Sequence, residues 1–146
     1  MKKLTLWFLI CWLTGVTTTR VVNAQQPHEP LVVIVSSQQG VVTLDLQQIE
    51  DLFLGRSTAF PDGSAAIPLD HTENSELWHQ FYQDLLGRSA AQIRSHWARQ
   101  VFTGRGRPPQ TANSAEDVLK MIQQDARIIS YIKASSVTDD IKVVFQ

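Results

Sequence analysis

Cysteine is almost missing from this sequence: one residue, Cys11, in a chain of 146. It lies inside an apolar stretch that reads as an export signal, so the chain left after cleavage has none. That excludes disulfides, cysteine-ligated metal sites and a thiol nucleophile from the mature protein. A lipid anchor on Cys11 is not expected either, because Ile10 is not the small residue that lipoprotein processing wants before its cysteine. An excess of positive charge is also missing. Removing Lys2, Lys3 and Arg20 with the signal leaves 10 Lys and Arg against 14 Asp and Glu, a formal charge of −4. A mildly acidic protein is a poor general binder of nucleic acid.

The usual signatures of catalysis are absent as well. No Gly-x-Ser-x-Gly elbow and no Gly-x-x-x-x-Gly-Lys loop occurs. Gly104-Arg105-Gly106-Arg107 looks like a phosphate loop, but Pro108-Pro109 follow at once and no helix can start there. The histidines, His28, His71, His79 and His96, lack the paired spacing of a metal motif. His71 and His79, with Asp70 and Glu76 nearby, are the one set a zinc or copper ion could use, and solvated surface histidines are the expectation. Glu50-Asp51, Glu116-Asp117 and Asp139-Asp140 are sequence neighbours. On a helix such neighbours diverge by about 100°, so solvation and turn formation explain them better than acid–base work. The expectation is a protein without enzymatic activity, cofactor or metal.

What is present begins with the signal. Lys2 and Lys3 are followed by apolar residues from Leu4 to about Leu13, and Val22-Asn23-Ala24 offers a cleavage site after Ala24. The apolar part is shorter than the roughly 20 residues a spanning helix needs. The sequence therefore predicts a periplasmic protein with no stable membrane insertion after cleavage. Residues 1–24 are the signal peptide, 25–30 a flexible lead-in, and 31–146 a single domain.

Leu31 to Val35 is an unbroken β-branched run, as in a strand buried on both faces. Asp45, with Gln48 three residues on, predicts a capped helix bearing Leu46, Ile49, Leu52 and Phe53 on one face, stopped by Gly55. Pro61-Asp62-Gly63 reads as a turn and Ile67-Pro68-Leu69 as a short edge strand. Asn74 or Ser75 then caps a helix with Leu77, Trp78, Phe81, Tyr82 and Leu85 inward, ended by Gly87. Ser89 to Gln92 opens a third helix with Ile93 and Trp97 inward, and Ser114 a fourth with Val118, Leu119 and Ile122. Ile128–Ile132 and Ile141–Phe145 read as late strands around an Asp139-Asp140 turn. The order implies an α/β fold, a small mixed sheet flanked by helices. Leu-Gly-Arg-Ser occurs at 54–57 and 86–89. Helix ends capped by glycine account for both without invoking a repeat.

The most distinctive segment runs from Arg94 to Pro109. Four of the mature chain's ten cations, Arg94, Arg99, Arg105 and Arg107, sit there with Trp97 and Phe102. The aromatics are expected in the core. Arg105 and Arg107 fit equally a surface loop and a contact to an anion or a partner, since guanidinium forks match carboxylates and phosphates.

Taken together, these residues resemble the phosphate-binding proteins of bacterial ABC importers. The shared pattern is Val33–Val35, Thr43 to Arg56, Pro61-Asp62-Gly63 and Ile128-Ile129-Ser130-Tyr131-Ile132. The chain is similar above all to a short, single-lobe, phosphate-binding-like subfamily. That likeness rests on Phe81-Tyr82-Gln83-Asp84-Leu85-Leu86-Gly87-Arg88-Ser89 and on the run from Trp97 to Pro109. The resemblance implies one lobe of a type II periplasmic binding protein. In the two-lobed proteins an Arg on a loop and a Ser-Gly-Thr helix start hold the phosphate. Here Asp70 stands where that Arg belongs, with Glu73 and Glu76 close by, while Thr72, Asn74 and Ser75 can still donate. Three carboxylates oppose a phosphate, and the remaining phosphate contacts belong to a second lobe.

Two readings follow. In one, a small anion such as phosphate binds weakly at Thr72, Asn74 and Ser75, with Arg99, Arg105 and Arg107 as a second basic candidate set. In the other, the lobe is a non-transport interaction module for an envelope protein partner, with the Arg-Gly-Arg-Pro-Pro loop as its contact. A concave site lined by Thr72, Asn74, Ser75 and an arginine favours the first; an open face with Arg105 and Arg107 protruding favours the second.

Overall fold

The computed structural model describes residues 29–146. The signal peptide, its cleavage site and His28 lie outside the described residues. The order is strand β1 (Leu31–Ser36), helix α1 (Leu46–Phe53), β2 (Ile67–His71), α2 (Glu76–His79), α3 (Ala90–Phe102), β3 (Gln110–Ala112), α4 (Ala115–Gln124), β4 (Ile128–Lys133) and β5 (Ile141–Phe145). α2 continues without a break into a π-helical turn over Gln80–Leu85.

The five strands form one mixed sheet in the order β3-β2-β4-β1-β5. β2 runs parallel to both β3 and β4, and β1 antiparallel to both β4 and β5. β1 is buried along almost its whole length because it lies between two strands with helices over both faces. One core gathers α1, α2, its π-helical extension and α3 over Val33, Val35, Ile129 and Tyr131. The other packs Val118 and Ile122 of α4 on Val32, Ile34, Ile128 and Ile132. Alternate residues of one strand thus feed opposite cores, as the period of two requires.

Local signals set the helix ends. The Asp45 carboxylate accepts from the Gln48 N–H at 2.8 Å and the Gln48 side chain returns to the Asp45 N–H at 2.9 Å, a reciprocal cap. Ser89 and Gln92 repeat this at α3, and the Ser114 hydroxyl caps α4. After α1 the chain leaves through Gly55 at φ 67°, with the Arg56 N–H bonded to Asp51 O at 2.8 Å. Gly87 holds the corresponding position at φ 63°. The arginines of the two Leu-Gly-Arg-Ser segments then converge on one carboxylate: Arg56 and Arg88 both bind Glu50, at 3.1 and 2.6 Å. The doubled tetrapeptide is a pair of helix ends tied to one acceptor.

Several expectations are corrected. β2 is an interior strand, not an edge. Ile67 N–H donates to Arg127 O on the β4 side. Pro68 nitrogen therefore faces the other side, where pairing with β3 begins only at Leu69. β3 itself has no counterpart among the sequence-based elements. β4 and β5 form as read on either side of the Asp139-Asp140 turn, with β1 lying between them in the sheet. Leu46 is 42 % exposed and does not join Ile49, Leu52 and Phe53 in the core. Phe102 is 92 % exposed. It occupies the last turn of α3, beyond the end of the stripe that faces the sheet.

Candidate functional site

A cleft of about 290 Å³ opens between α3 and the β2–β3 side of the sheet. Its walls are mostly apolar: Trp78 from α2, Ile93 and Trp97 from α3, and Pro108-Pro109 leading into β3. Asp70 and His71 at the end of β2, Thr111 of β3, Glu73 and Arg94 complete the lining.

Asp70 is 5 % exposed and fully engaged. Its Oδ1 accepts from the Tyr131 hydroxyl and from the His71 backbone N–H, the latter at 2.8 Å. Oδ2 accepts from the Tyr82 hydroxyl at 2.8 Å. Burial pushes the Asp70 carboxyl up to about 6, even though these three donors favour its ionised form. Burial and the neighbouring carboxylate push the Tyr82 and Tyr131 phenols well above their ordinary value, so both stay protonated donors. The tyrosines come from the π-helical turn and from β4, and the turn's wider winding is what seats Phe81 and Tyr82 together in the core. The Phe81 ring stacks flat on Tyr131 at 3.9 Å between centroids, fixing that ring beneath the carboxylate.

His71 Nε2 lies 2.8 Å from Tyr131 O. A carbonyl can only accept, so Nε2 carries the proton. Burial lowers the pKa of this imidazole and keeps it neutral. The histidine ties β2 to β4 and is unsuited to hold a metal through Nε2. His79 lies elsewhere, its Nδ1 3.1 Å from the Gln83 side chain. Among the described residues no three His, Cys, Asp or Glu side chains gather as a metal site would require.

The six sequence-derived candidates are not brought together. The Ser75 hydroxyl accepts from the Trp78 N–H at 3.2 Å as the cap of α2, and Thr72 and Asn74 are exposed on the preceding turn. None of the three lines the cleft. Arg99 borders a shallow hollow with Arg88, Gln92 and Ser95, and Arg105 and Arg107 border another with Val101 and Gly104. The arginine on the cleft is Arg94, ion-paired with Glu73 across its rim. Its signal in the sequence is its place beside Ile93 and three residues before Trp97, on the flank of the buried stripe. No local signal marks the Asp70–Tyr82–Tyr131 cluster, whose members lie 12 and 61 residues apart.

No protein-family model matches the sequence, and no curated protein matches it. Solved structures do match in fold. A phosphate ABC transporter substrate-binding protein from Clostridium perfringens, solved with bound phosphate, aligns over 78 % of this chain with a TM-score of 0.60 and 19 % identity. PstS from Borrelia burgdorferi aligns over 79 % with a TM-score of 0.60 and 10 % identity. An ABC-type phosphate transport receptor from Vibrio cholerae aligns over 78 % with a TM-score of 0.51 and 13 % identity. The chain spans less than half of each: 43, 46 and 44 %. The fold is thus that of one lobe of such binding proteins, as the motifs predict.

Proposed function

We propose that this protein is an exported periplasmic recognition module, a binding-protein lobe that engages a protein partner in the cell envelope instead of gripping phosphate, and that it catalyses no reaction. One observation carries this reading: the donors gathered at the end of β2 are already spent on an internal anion. Two tyrosine hydroxyls and the His71 backbone N–H converge on the Asp70 carboxylate, where the resemblance places an anion-binding arginine. A phosphate entering the cleft meets that carboxylate, while Arg94 and Glu73 neutralise each other in their ion pair. Arg105 and Arg107 meanwhile are exposed and lie outside the cleft. The periplasmic location rests on the signal peptide read from Lys2 to Ala24.

A second reading, weak binding of a small anion, is favoured by the Clostridium perfringens neighbour, whose structure carries bound phosphate. Calorimetric titration of residues 25–146 with phosphate, and with sulfate as control, separates the two. The recognition reading expects no saturable heat with either anion. Saturable phosphate binding at micromolar affinity overturns it and returns the weight to anion capture.

A further inference from the structure

Among the described residues, every arginine outside one short stretch has a carboxylate. Arg56 binds Glu50 and Asp51, Arg88 binds Glu50, Arg94 binds Glu73 and Arg127 binds Asp125. Among the described residues Arg99, Arg105 and Arg107 have none, and all three are exposed. In sequence they flank the most exposed large apolar side chain of the described residues, Phe102 at 92 %, with Val101 at 54 % beside it, and Arg105 and Arg107 border one hollow with Val101. Arg99 and Phe102 are three residues apart and share a face of α3.

The stretch is built to hold its shape. Gly104 leaves the helix at φ 68°, its N–H bonded to Val101 O at 3.1 Å, and the Arg105 N–H reaches Gln100 O at 3.0 Å. This double closure satisfies the last carbonyls of α3. Gly106 then passes close to the Trp97 ring, where an added Cβ would stand 3.8 Å away, and Pro108-Pro109 stiffen the run into β3. The cationic side chains therefore project from an ordered backbone, which reduces the entropy lost when a partner docks.

We infer that the C-terminal turn of α3 and the loop after it form a docking surface for an acidic protein surface, with Phe102 entering an apolar pocket of that partner and Arg99, Arg105 and Arg107 meeting its carboxylates. The inference rests on the recognition reading above and names its surface and the partner's chemistry. Arginines around an exposed aromatic anchor are the composition of an interface centre, where few residues carry most of the binding energy. A protein overall acidic that concentrates its unpaired arginines here selects against partners lacking negative charge. An anionic membrane is the weaker fit, because lipid binding scales with buried apolar area and only Phe102 and Val101 protrude.

The test places a photoreactive side chain in the full-length protein made in its own cells: Phe102→p-benzoylphenylalanine, with Lys120→p-benzoylphenylalanine on α4 and Gln47→p-benzoylphenylalanine on α1 as comparisons. The expected result is a light-dependent protein adduct from position 102 alone, mapping to an apolar side chain flanked by Asp or Glu. Adding Arg105→Glu and Arg107→Glu lowers its yield tenfold or more, at an unchanged melting temperature. A lipid adduct, with co-flotation on phosphatidylglycerol vesicles, overturns the inference in favour of a membrane. An adduct to a second copy overturns it in favour of self-association. Protein adducts from position 47 or 120 only, or an adduct from position 102 indifferent to charge reversal, remove this surface and leave the recognition reading standing. No protein adduct from any position removes both.

Discussion

Asp70 draws three hydrogen-bond donors onto one buried carboxylate. Its carboxylate sits at the end of β2, among two phenol hydroxyls and a backbone N–H, in a place too dry to favour its charge. The folded protein thus holds the Asp70 proton up to about pH 6, well above where an unfolded aspartate releases it. Between about pH 4 and 6 the folded state binds the extra proton, so this group's contribution to stability falls as pH rises and levels off above about 6. The amplitude is roughly 3 kcal/mol. Other carboxylates titrate in the same range, so the measurement is the difference between the wild type and Asp70→Asn. That difference, from urea denaturation, is expected to move in favour of the variant from pH 4 to 6 and then stay constant. A flat difference would mean that the fold leaves the Asp70 carboxyl at its ordinary aspartate value.

Among the elements, helix ends were the most legible part of the sequence, because a cap is decided by residues within one turn of each other. Asp45 with Gln48 and Ser89 with Gln92 act as read. Gly55 and Gly87 both adopt positive φ, but their surroundings differ. A Cβ on Gly55 would stand 3.0 Å from the Trp97 ring, whereas one on Gly87 meets nothing within 4 Å. Gly87→Ala is expected to cost about 1 kcal/mol, the left-handed penalty alone. Gly55→Ala is expected to cost more, about 2 kcal/mol, since Trp97 must also move. Equal losses in chemical denaturation would show that Trp97 yields freely. β3 was not legible: three residues, two of them exposed, bear no pattern, and their pairing partner in β2 lies some forty residues earlier. Leu46 and Phe102 were misread for a related reason. Periodicity says which face a side chain shares, but not how far the neighbouring layer extends.

At the scale of the whole molecule, the sheet sets a gradient of protection. β1 and β4 are central, pair with each other over five residues and carry a core on each face. β3 is an edge held by β2 alone. Native-state hydrogen exchange is expected to be slowest at Val33–Val35 and Ile129–Tyr131 and fastest in β3, by several orders of magnitude. Equal protection in β3 and β1 would mean that the cleft wall opens only with global unfolding. A freer β3 instead makes the cleft, bounded by Pro108-Pro109 and Thr111, the compliant edge of the lobe.

The sequence by itself determined the α/β class, the helix limits, the two-sided burial of β1 and the likeness to a binding-protein lobe. All of these depend on contiguous residues: caps, glycines, an unbroken β-branched run, long motifs. Only the tertiary structure decided that Asp70 is claimed by Tyr82 and Tyr131, that Arg94 instead of Arg105 or Arg107 reaches the cleft, and that Phe102 stands in solvent. Those outcomes depend on which residues the sheet order brings together across 12 to 61 positions of chain. Local preference carries no record of that distance; packing does.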